Sequence, residues 1–377
     1  MNPILPPAWL GVLGGGQLGR FFVVAARYMG YRVAVLDPHP DSPAGSLADR
    51  HLAAAYDDRA ALDELAALCA AVTTEFENVP ADSLALLAKR IRVAPSAECV
   101  AIAQDRIREK AAARSLGLPV GPYAPVERES DLARPELYPA VLKTARLGYD
   151  GKGQARVGSP ADAPRAWEAL RRVPCVLEKR LDLEREISAI VARGGDGETR
   201  VFAVAENRHR NGILDVSSVP ARVSPALADE ARSLAARLAA GLSYEGVLGV
   251  ELFVVSGRLL FNEMAPRPHN SGHYTLDACA VSQYVQQVRA LCGLPLGDGR
   301  LLSPATMVNI LGDVWNGGEP DWRQVLDEPR AKLYLYGKSS ARPGRKMGHY
   351  TVLDADPAKA LDTALALRTR LGIGGED

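Results

Sequence analysis

The order of apolar and polar positions in the first hundred residues predicts strands that alternate with helices. Apolar runs with the length of buried strands lie at residues 9–13, 32–36 and 71–76. Between them, residues 17–29 and 60–70 repeat their apolar positions at the spacing of amphipathic helices. Such alternation is typical of a parallel sheet with helices on its faces. We therefore expect a doubly wound N-terminal domain that ends near residue 100.

Beyond that boundary the pattern changes to short strands with irregular connections. Charged residues predict a helix over residues 104–116, and a segment rich in glycine and proline follows it. Short strands are expected at residues 140–144, 173–178, 187–193 and 198–205, the last two as a hairpin. Ser224 and Pro225 have the order of an N-cap and a first helical residue, so they open a helix that ends near Gly241.

A second hairpin carries two acids, Glu251 and Glu263. If Val255, Ser256 and Gly257 form a three-residue turn, Glu251 lies opposite Phe261 and diagonal to Glu263, and both carboxylates share one face. A two-residue turn would place them on opposite faces. Paired acids on a rigid hairpin, with the amide of Asn262 beside them, suit Mg²⁺ bound to phosphates. The alternative, two solvated acids on an edge strand, fits poorly with the apolar residues around them.

Composition and charge exclude several classes of protein. Apolar residues make up 47% of the chain and charged residues 24%, which are globular values. With 45 basic and 45 acidic residues, the chain lacks the field expected of a protein that coats nucleic acid or binds a membrane. No run of about 18 apolar residues predicts a membrane span. The five cysteines fit neither a disulfide framework nor a zinc site, and the N-terminus does not resemble a signal peptide, so we expect a cytoplasmic protein.

Two glycine-rich loops could each bind phosphate. Residues 14–19 lie between a strand and a helix, where free backbone N–H groups can hold a phosphate. Since Asp37 ends the next strand, this loop also fits a nicotinamide-dependent oxidoreductase. Residues 148–154, with Lys143 before them and Lys152 within them, suit a lid that closes over a polyphosphate. An ordinary hairpin loop is the alternative for the second segment.

Further polar residues cluster after apolar strands. Glu178 and Glu186 could bind an adenine edge and a ribose, although isolated acids are more often solvated. Two prolines constrain the loop that carries Arg267, His269 and Asn270, and such a loop is costly unless it binds a ligand. Near the C-terminus, basic residues gather at Lys332, Lys338, Arg342, Arg345, Lys346 and His349. They form either a solvated basic face or a site for phosphate or carboxylate.

Taken together, these motifs resemble the ATP-grasp superfamily. Within it, the chain is similar to the 5-(carboxyamino)imidazole ribonucleotide synthases of purine biosynthesis. The motifs that carry the resemblance, in the family's order, are GGGQLGR, TTEFENVP, QDRIREK, GYDGKGQ, the Glu251 and Glu263 hairpin, NEMAPRPHNSGH and RPGRKMGH. They span roughly residues 11–350. Lys152 stands where arginine is at least as common, and Arg180 places a charge in the adenine hinge.

The resemblance implies a fold that is α/β and α+β, with an ATP-grasp domain between two others. The implied limits are a Rossmann-like pre-ATP-grasp domain at residues 1–100, an ATP-grasp domain at 101–300 with a lid subdomain at about 117–180, and a small C-terminal domain at 301–377. It also implies an enzyme, a C–N bond-forming ligase that carboxylates aminoimidazole ribonucleotide with bicarbonate and ATP through carboxyphosphate. A homodimer and a Mg²⁺ or Mn²⁺ ion are expected, with no nucleic acid or membrane partner.

The resemblance also assigns roles to residues of this chain. The expected ATP-binding residues are Arg106, Lys143, Gly148, Tyr149, Asp150, Gly151, Lys152, Gly153, Gln154, Glu178, Lys179, Arg180, Leu181, Glu186, His209, Asn262 and Glu263. The expected catalytic residues are Tyr149, Asp150, Lys152, Arg267, His269, Asn270 and Lys338, and the metal ligands are Glu251 and Glu263. The expected ribonucleotide-binding residues are Gln17, Leu18, Glu75, Asn270, Lys338, Arg345 and Lys346. A sister enzyme that activates formate, such as a glycinamide ribonucleotide transformylase, is the competing member of the superfamily.

Overall fold

The N-terminal segment forms the predicted parallel sheet. The computed structural model of the chain describes residues 2–148 and 152–374. The first strands and helices are β1 (Trp9–Leu13), α1 (Gln17–Tyr28), β2 (Arg32–Leu36), β3 (Arg50–Leu52), α2 (Arg59–Leu68), β4 (Ala71–Thr74), α3 (Ala81–Leu87) and β5 (Arg92–Val93). All neighbouring strands are parallel, in the order β3-β2-β1-β4-β5. Since parallel strands end at one edge, the loops after β1, β2 and β4 lie side by side.

The predicted charged helix is two helices. They are α4 (Ala97–Ala103) and α5 (Arg106–Ser115). Asp105 separates them because its carboxylate accepts hydrogen bonds from the backbone N–H groups of Ile107 and Arg108 and so caps α5. The prediction for residues 104–116 missed this break, which places Arg106 at the first turn of a new helix.

A small antiparallel sheet follows, in the order β6-β9-β7-β8. Its elements are β6 (Tyr123–Val126), β7 (Ala140–Thr144), β8 (Gln154–Val157), α6 (Ala163–Ala169) and β9 (Cys175–Lys179). Trp167 of α6 packs with Leu142 and Leu177 in a separate apolar core. The second glycine-rich loop joins β7 to β8, and Tyr149, Asp150 and Gly151 within it lie outside the described residues.

The largest sheet holds the remaining strands. Its elements are β10 (Arg185–Arg193), β11 (Thr199–Val201), β12 (Ala205–Arg210), β13 (Ile213–Val219), α7 (Pro225–Gly241), β14 (Gly246–Val255), β15 (Arg258–Ala265), α8 (Thr275–Ala278), α9 (Gln283–Leu291), β16 (Ala305–Leu311), α10 (Arg323–Leu326), β17 (Ala331–Leu335), β18 (Lys346–Leu353) and α11 (Pro357–Arg370). The strand order is β15-β14-β10-β12-β13-β16-β18-β17, with β11 also on β10. The C-terminal strands therefore continue the sheet that carries the acidic hairpin.

One predicted strand in this sheet was wrong. Residues 198–205 do not form a single strand. Strand β11 pairs with the C-terminal end of β10, and the separate strand β12 pairs with the N-terminal end of β10. All five cysteines are buried free thiols. None of the helices in residues 2–148 and 152–374 has the length and apolarity needed to cross a membrane.

Candidate active site

A large cleft brings together residues that are far apart along the chain. Its volume is about 1120 Å³. The loops after β1, β2 and β4, strands β12 to β15 and residues 338–346 all line it. The predicted site residues that line it are Gln17, Leu18, Glu75, Arg106, Gly148, Lys152, His209, Glu251, Glu263, Arg267, His269, Asn270, Lys338, Arg345 and Lys346.

The acidic hairpin reaches the predicted geometry by a different register. Its turn has two residues, Ser256 and Gly257, both with positive φ, so the predicted three-residue turn was wrong. With that turn alone, the two acids would lie on opposite faces of the hairpin. A β-bulge after Glu251 shifts the pairing by one residue and returns both acids to the same face. Glu251 lies directly opposite Glu263, and Phe261 pairs with Leu252 instead. Both carboxylates therefore share one face, and both line the cleft.

Each carboxylate of this pair has a cationic or hydrogen-bonding partner. Arg106 donates a 2.5 Å hydrogen bond to Glu263, and His269 Nε2 lies 3.1 Å from Glu251 Oε1. Burial alone would raise the pKa of Glu263, but Arg106 outweighs it and lowers that pKa to about 2. The pKa of Glu251 is likewise lowered, because His269 outweighs burial. Both groups are therefore carboxylates at neutral pH.

The hairpin suits a hard cation only when phosphate completes the coordination. The buried side-chain Oδ1 of Asn262 has no hydrogen-bond partner among the residues that the structure describes. This oxygen and the two carboxylates are the donor types that Mg²⁺ prefers. Within the described ranges, no cluster of three or more histidine, cysteine, aspartate or glutamate side chains could hold a metal by itself. These residues suit an ion that a bound polyphosphate also coordinates, and not an ion that protein side chains enclose by themselves.

A second cluster lies behind the cleft, around Glu178 at the end of β9. Lys143 donates a 3.0 Å hydrogen bond to Glu178, and Lys110 lies 3.3 Å from its other oxygen. Burial raises the pKa of Glu178, but Lys143 and Lys110 outweigh it, so the net shift is downward. The predicted nucleotide-binding residues Lys143, Gly153, Gln154, Glu178, Lys179, Arg180, Leu181, Glu186 and Asn262 do not line the large cleft. Lys179 and Arg180 are exposed.

Glu186 reaches the cleft through His209, whose Nδ1 lies 2.9 Å from Glu186 Oε2. Burial would lower the pKa of His209, but the Glu186 and Glu251 carboxylates raise it to about 9. Because the folded pKa exceeds the unfolded value of about 6.5, this pair stabilises the protein fully below about pH 6.5 and loses that stabilisation towards pH 9.

We expect His209→Gln to remove this pH-dependent stabilisation. The difference in free energy of unfolding between wild type and variant should be at most about 3 kcal/mol at pH 6 and close to zero above pH 9.5. Urea unfolding at a series of pH values measures it, with His51→Gln as the control. A difference that does not change with pH would contradict the charged pair.

The first glycine-rich loop differs from its prediction. Several of its N–H groups are not free: Gly15 donates to Asp37, and Gly16 and Gly19 donate to the two oxygens of Glu75. Asp37 is buried and also accepts hydrogen bonds from His39 N–H and the Tyr56 hydroxyl. Its carboxylate already accepts three hydrogen bonds from the protein, so it does not support binding of a nicotinamide ribose. Gln17 and Leu18, at the start of α1, line the cleft.

The proline-rich loop after β15 lies between the acidic hairpin and the first domain. Arg267 pairs with Glu77 in the loop after β4. Asn270 exchanges two hydrogen bonds with Asn309 of β16, at 2.6 and 3.1 Å. Arg267, His269 and Asn270 all line the cleft.

The basic segment supplies fewer cleft cations than predicted. Lys338 donates a 2.6 Å hydrogen bond to the carbonyl of Lys346, and Arg345 donates to Ser340, so both chain ends of the segment are braced. Lys338, Arg342, Arg345 and Lys346 line the cleft. His349 does not: it is fully buried, it stacks on His273, and burial lowers its pKa to about 3. His349 was wrongly grouped with the cationic residues.

Two cleft residues, Glu77 and Glu109, and the neighbouring Lys110 were missed in the sequence. Glu77 pairs with Arg267, and Lys110 donates to the carbonyl of Asn262. Glu109 lies in the cleft wall, where burial raises its pKa to about 8. The motif QDRIREK contains Glu109 and Lys110, but only the fold shows that both are almost completely buried.

Three family models match consecutive parts of the chain. They are the ribonucleotide synthetase preATP-grasp domain at residues 8–104, the ATP-grasp domain at residues 111–284, and the phosphoribosylaminoimidazole carboxylase C-terminal domain at residues 305–363. The first match covers the parallel sheet, the second covers the small sheet and the large sheet through β15, and the third covers strands β16 to β18 of the large sheet.

Similar proteins and solved structures include several N5-carboxyaminoimidazole ribonucleotide synthases. N5-carboxyaminoimidazole ribonucleotide synthases of Bacillus subtilis and Brucella melitensis are 47% and 44% identical, over 93% and 92% of this chain and 92% and 96% of theirs. An ADP complex of N5-carboxyaminoimidazole ribonucleotide synthetase has a TM-score of 0.92 and 45% identity, with 97% of each chain covered. An Aspergillus clavatus enzyme solved with ADP and 5-aminoimidazole ribonucleotide has a TM-score of 0.88 and 32% identity, covering 97% of this chain and 99% of that one. The chain belongs to the N5-carboxyaminoimidazole ribonucleotide synthase family of ATP-grasp enzymes.

Proposed function

We propose that this protein uses ATP and bicarbonate to carboxylate the exocyclic amine of 5-aminoimidazole ribonucleotide. The products are N5-carboxyaminoimidazole ribonucleotide, ADP and phosphate. The observation that carries the proposal is that one cleft holds three groups: the acidic pair, the cations among residues 338–346, and the loop residues Arg267, His269 and Asn270, with His269 in contact with Glu251. Two phosphate-bearing substrates can thus meet at a central polar loop.

The nucleotide half of the site is assigned to the hairpin and the small sheet. Glu251, Glu263 and Asn262 would hold Mg²⁺ or Mn²⁺, which neutralises phosphate charge during transfer. Arg106 donates a hydrogen bond to Glu263, and we assign its charge to the γ-phosphoryl group beside the cation. Lys143, Glu178, Glu186 and His209 would bind the rest of ATP, with the 148–154 loop as its cover.

The central loop is assigned to bicarbonate and carboxyphosphate. A bicarbonate oxygen attacks the γ-phosphorus, the bond to ADP breaks, and carboxyphosphate forms. The substrate amine then takes the carboxyl carbon and loses a proton as phosphate leaves. Arg267 offers charge-assisted hydrogen bonds to the anion, and His269 and Asn270 offer two further polar contacts. Carboxyphosphate hydrolyses in water, so the cleft must exclude solvent while it forms.

The opposite half of the cleft is assigned to the ribonucleotide. Gln17 and Leu18 at the start of α1, with Lys338, Arg345 and Lys346, would bind its phosphate. Glu75 binds the amides of Gly16 and Gly19, so we assign it to shaping this subsite. The relative solved with ADP and 5-aminoimidazole ribonucleotide supports a site for both ligands in one chain.

We also propose the domain limits 1–100, 101–300 and 301–377, with a lid at about 117–180, a homodimer, and a cytoplasmic location. The family models that match residues 8–104, 111–284 and 305–363 support the limits. The reduced, buried cysteines suit a reducing compartment.

One assay tests the proposed function. Phosphate release from ATP is measured with bicarbonate, formate or neither, each with and without 5-aminoimidazole ribonucleotide. We expect full turnover only with bicarbonate and the ribonucleotide together. Turnover with formate would indicate the transformylase alternative, and a fluorescence change on addition of NADH would support the oxidoreductase alternative.

Replacing Lys338 or Arg345 with methionine should weaken binding of the ribonucleotide much more than binding of ATP. Loss of one charge-assisted contact to phosphate is worth about 1.5 to 3 kcal/mol, so the KM for the ribonucleotide should rise about tenfold to a hundredfold. Steady-state kinetics measure both KM values, and Lys359→Met on the exposed face of α11 is the matched control. A raised KM for ATP with an unchanged ribonucleotide KM would place the basic segment on the other ligand.

A further inference from the structure

His269 is held at both ring nitrogens. Its Nε2 lies 3.1 Å from Glu251 Oε1, and its Nδ1 lies 2.8 Å from Ser271 Oγ. The backbone N–H of Ser271 also points at Nδ1, at 3.4 Å, and a backbone N–H can only donate. Nδ1 is therefore an acceptor, and the ring hydrogen lies on Nε2, where the Glu251 carboxylate accepts it. The contacts at both ring nitrogens therefore indicate the Nε2–H tautomer.

Behind Ser271 a chain of hydrogen bonds runs across three strands of the large sheet. Ser188 Oγ of β10 lies 2.7 Å from Ser271 Oγ, and Asn207 Nδ2 of β12 donates to Ser188 Oγ at 3.0 Å. Ser217 of β13 donates to Asn207 Oδ1 at 2.7 Å. Since Asn207 supplies one hydrogen to Ser188, the hydroxyl hydrogen of Ser188 can go to Ser271, and that of Ser271 to His269. The donors then all point towards the cleft.

Burial makes the direction of this chain difficult to reverse. Ser188 and Ser217 are 1% exposed, Ser271 is 0% exposed, and Asn207 is 5% exposed. Water cannot replace a lost partner at such depth, and a buried polar group without a partner is costly. Neighbouring positions of the same strands, such as Ile187 and Val216, are apolar core residues. Four polar side chains in this layer thus lead to a single functional residue.

We propose that Ser271 and Ser188 are positioning residues for His269. They hold the ring so that its Nε2–H, and not a bare nitrogen, faces the cleft beside the acidic pair. This inference rests on the proposed function in one respect: the oxygen that receives this hydrogen during turnover is that of bicarbonate or carboxyphosphate. The tautomer itself is a property of the ligand-free protein and can be measured without any substrate.

The direct test is nitrogen NMR of the ligand-free protein labelled with ¹⁵N-histidine. Two-bond ¹H–¹⁵N correlations report which ring nitrogen of each histidine carries the hydrogen, and His269→Asn identifies the signal of His269. We expect His269 to be the Nε2–H tautomer in wild type, and we expect its Nδ1 signal to shift in Ser271→Ala and Ser188→Ala, because the hydroxyl contact to Nδ1 is lost or weakened while the backbone N–H of Ser271 and the Glu251 carboxylate remain. Ser218→Ala is the matched control. Ser218 lies on β13 next to Ser217, but its hydroxyl contacts Thr306, which is not part of this hydrogen-bond chain.

Kinetics supply the second readout. In Ser271→Ala and Ser188→Ala, kcat should fall roughly threefold to tenfold with the KM for ATP nearly unchanged, and more phosphate should form per carboxylated product. If Ser271→Ala does not fold, Ser188→Ala, one hydrogen bond farther away, still gives the answer. A His269 signal identical to wild type in both variants would overturn the inference. Absence of bicarbonate-dependent turnover in wild type would instead overturn the proposed function, and the NMR result would still decide the positioning role.

Discussion

Glu263→Gln is expected to fold normally and to lose at least about a hundredfold of its ATP turnover. One carboxylate of the hairpin pair would no longer offset cation charge at the transferred phosphoryl group, and losses of this size follow removal of one such electrostatic group. The same change also takes away the partner of Arg106, which keeps its hydrogen bond to the carbonyl of Gly148. Phosphate release at saturating ATP and Mg²⁺ measures the effect.

A surface variant separates this effect from a general loss of charge. Glu64→Gln removes an exposed partner of Arg50 and should leave turnover and melting temperature close to wild type. Wild-type turnover in Glu263→Gln would contradict the assignment of the hairpin to the nucleotide and its cation. Loss of folding in Glu263→Gln would favour a structural role for the Arg106 ion pair.

His269→Asn is expected to separate ATP cleavage from carboxylation. His269 contacts Glu251 of the acidic pair and lines the same cleft as the basic segment, so its loss should leave carboxyphosphate poorly held while the nucleotide half still works. We expect the ratio of phosphate to carboxylated product to rise clearly above one. His51→Asn, outside the cleft, is the control and should keep a ratio near one.

Two other outcomes for His269→Asn would carry different meanings. Loss of both activities in strict proportion would place His269 in an earlier step, such as capture of bicarbonate. Unchanged kinetics would mean that the histidine only braces the proline-rich loop, which it also does through its backbone N–H and carbonyl contacts to Gln283.

The elements that depend on local patterns could be predicted from the sequence. Strands β1, β2 and β7 and helix α7 have the predicted bounds, because apolar runs and caps determine them locally. The acidic pair could also be predicted, but for the wrong reason: no residue pattern signals the β-bulge beside Asn262 that offsets the two-residue turn. A shared face of the two acids was therefore confirmed, while their register was not.

Contacts between distant segments could not be predicted. Asp37 and Glu75 occupy the amides of the first glycine-rich loop only because β1, β2 and β4 lie side by side. His349 of β18 is buried because it lies opposite Asn309 of the neighbouring strand β16 and stacks on His273. The hydrogen-bond chain behind His269 joins residues from β10, β12 and β13 with the loop after β15, and no spacing along the sequence reveals it.

The central claim is that bicarbonate attacks the γ-phosphoryl group of ATP in this cleft. The most direct measurement uses ¹⁸O-labelled bicarbonate with ATP and 5-aminoimidazole ribonucleotide, and analyses the phosphate by mass spectrometry. Because the attacking oxygen stays on phosphorus when carboxyphosphate breaks down, one ¹⁸O should appear in each phosphate formed. Phosphate with no ¹⁸O, formed at the same rate as the carboxylated product, would contradict this account.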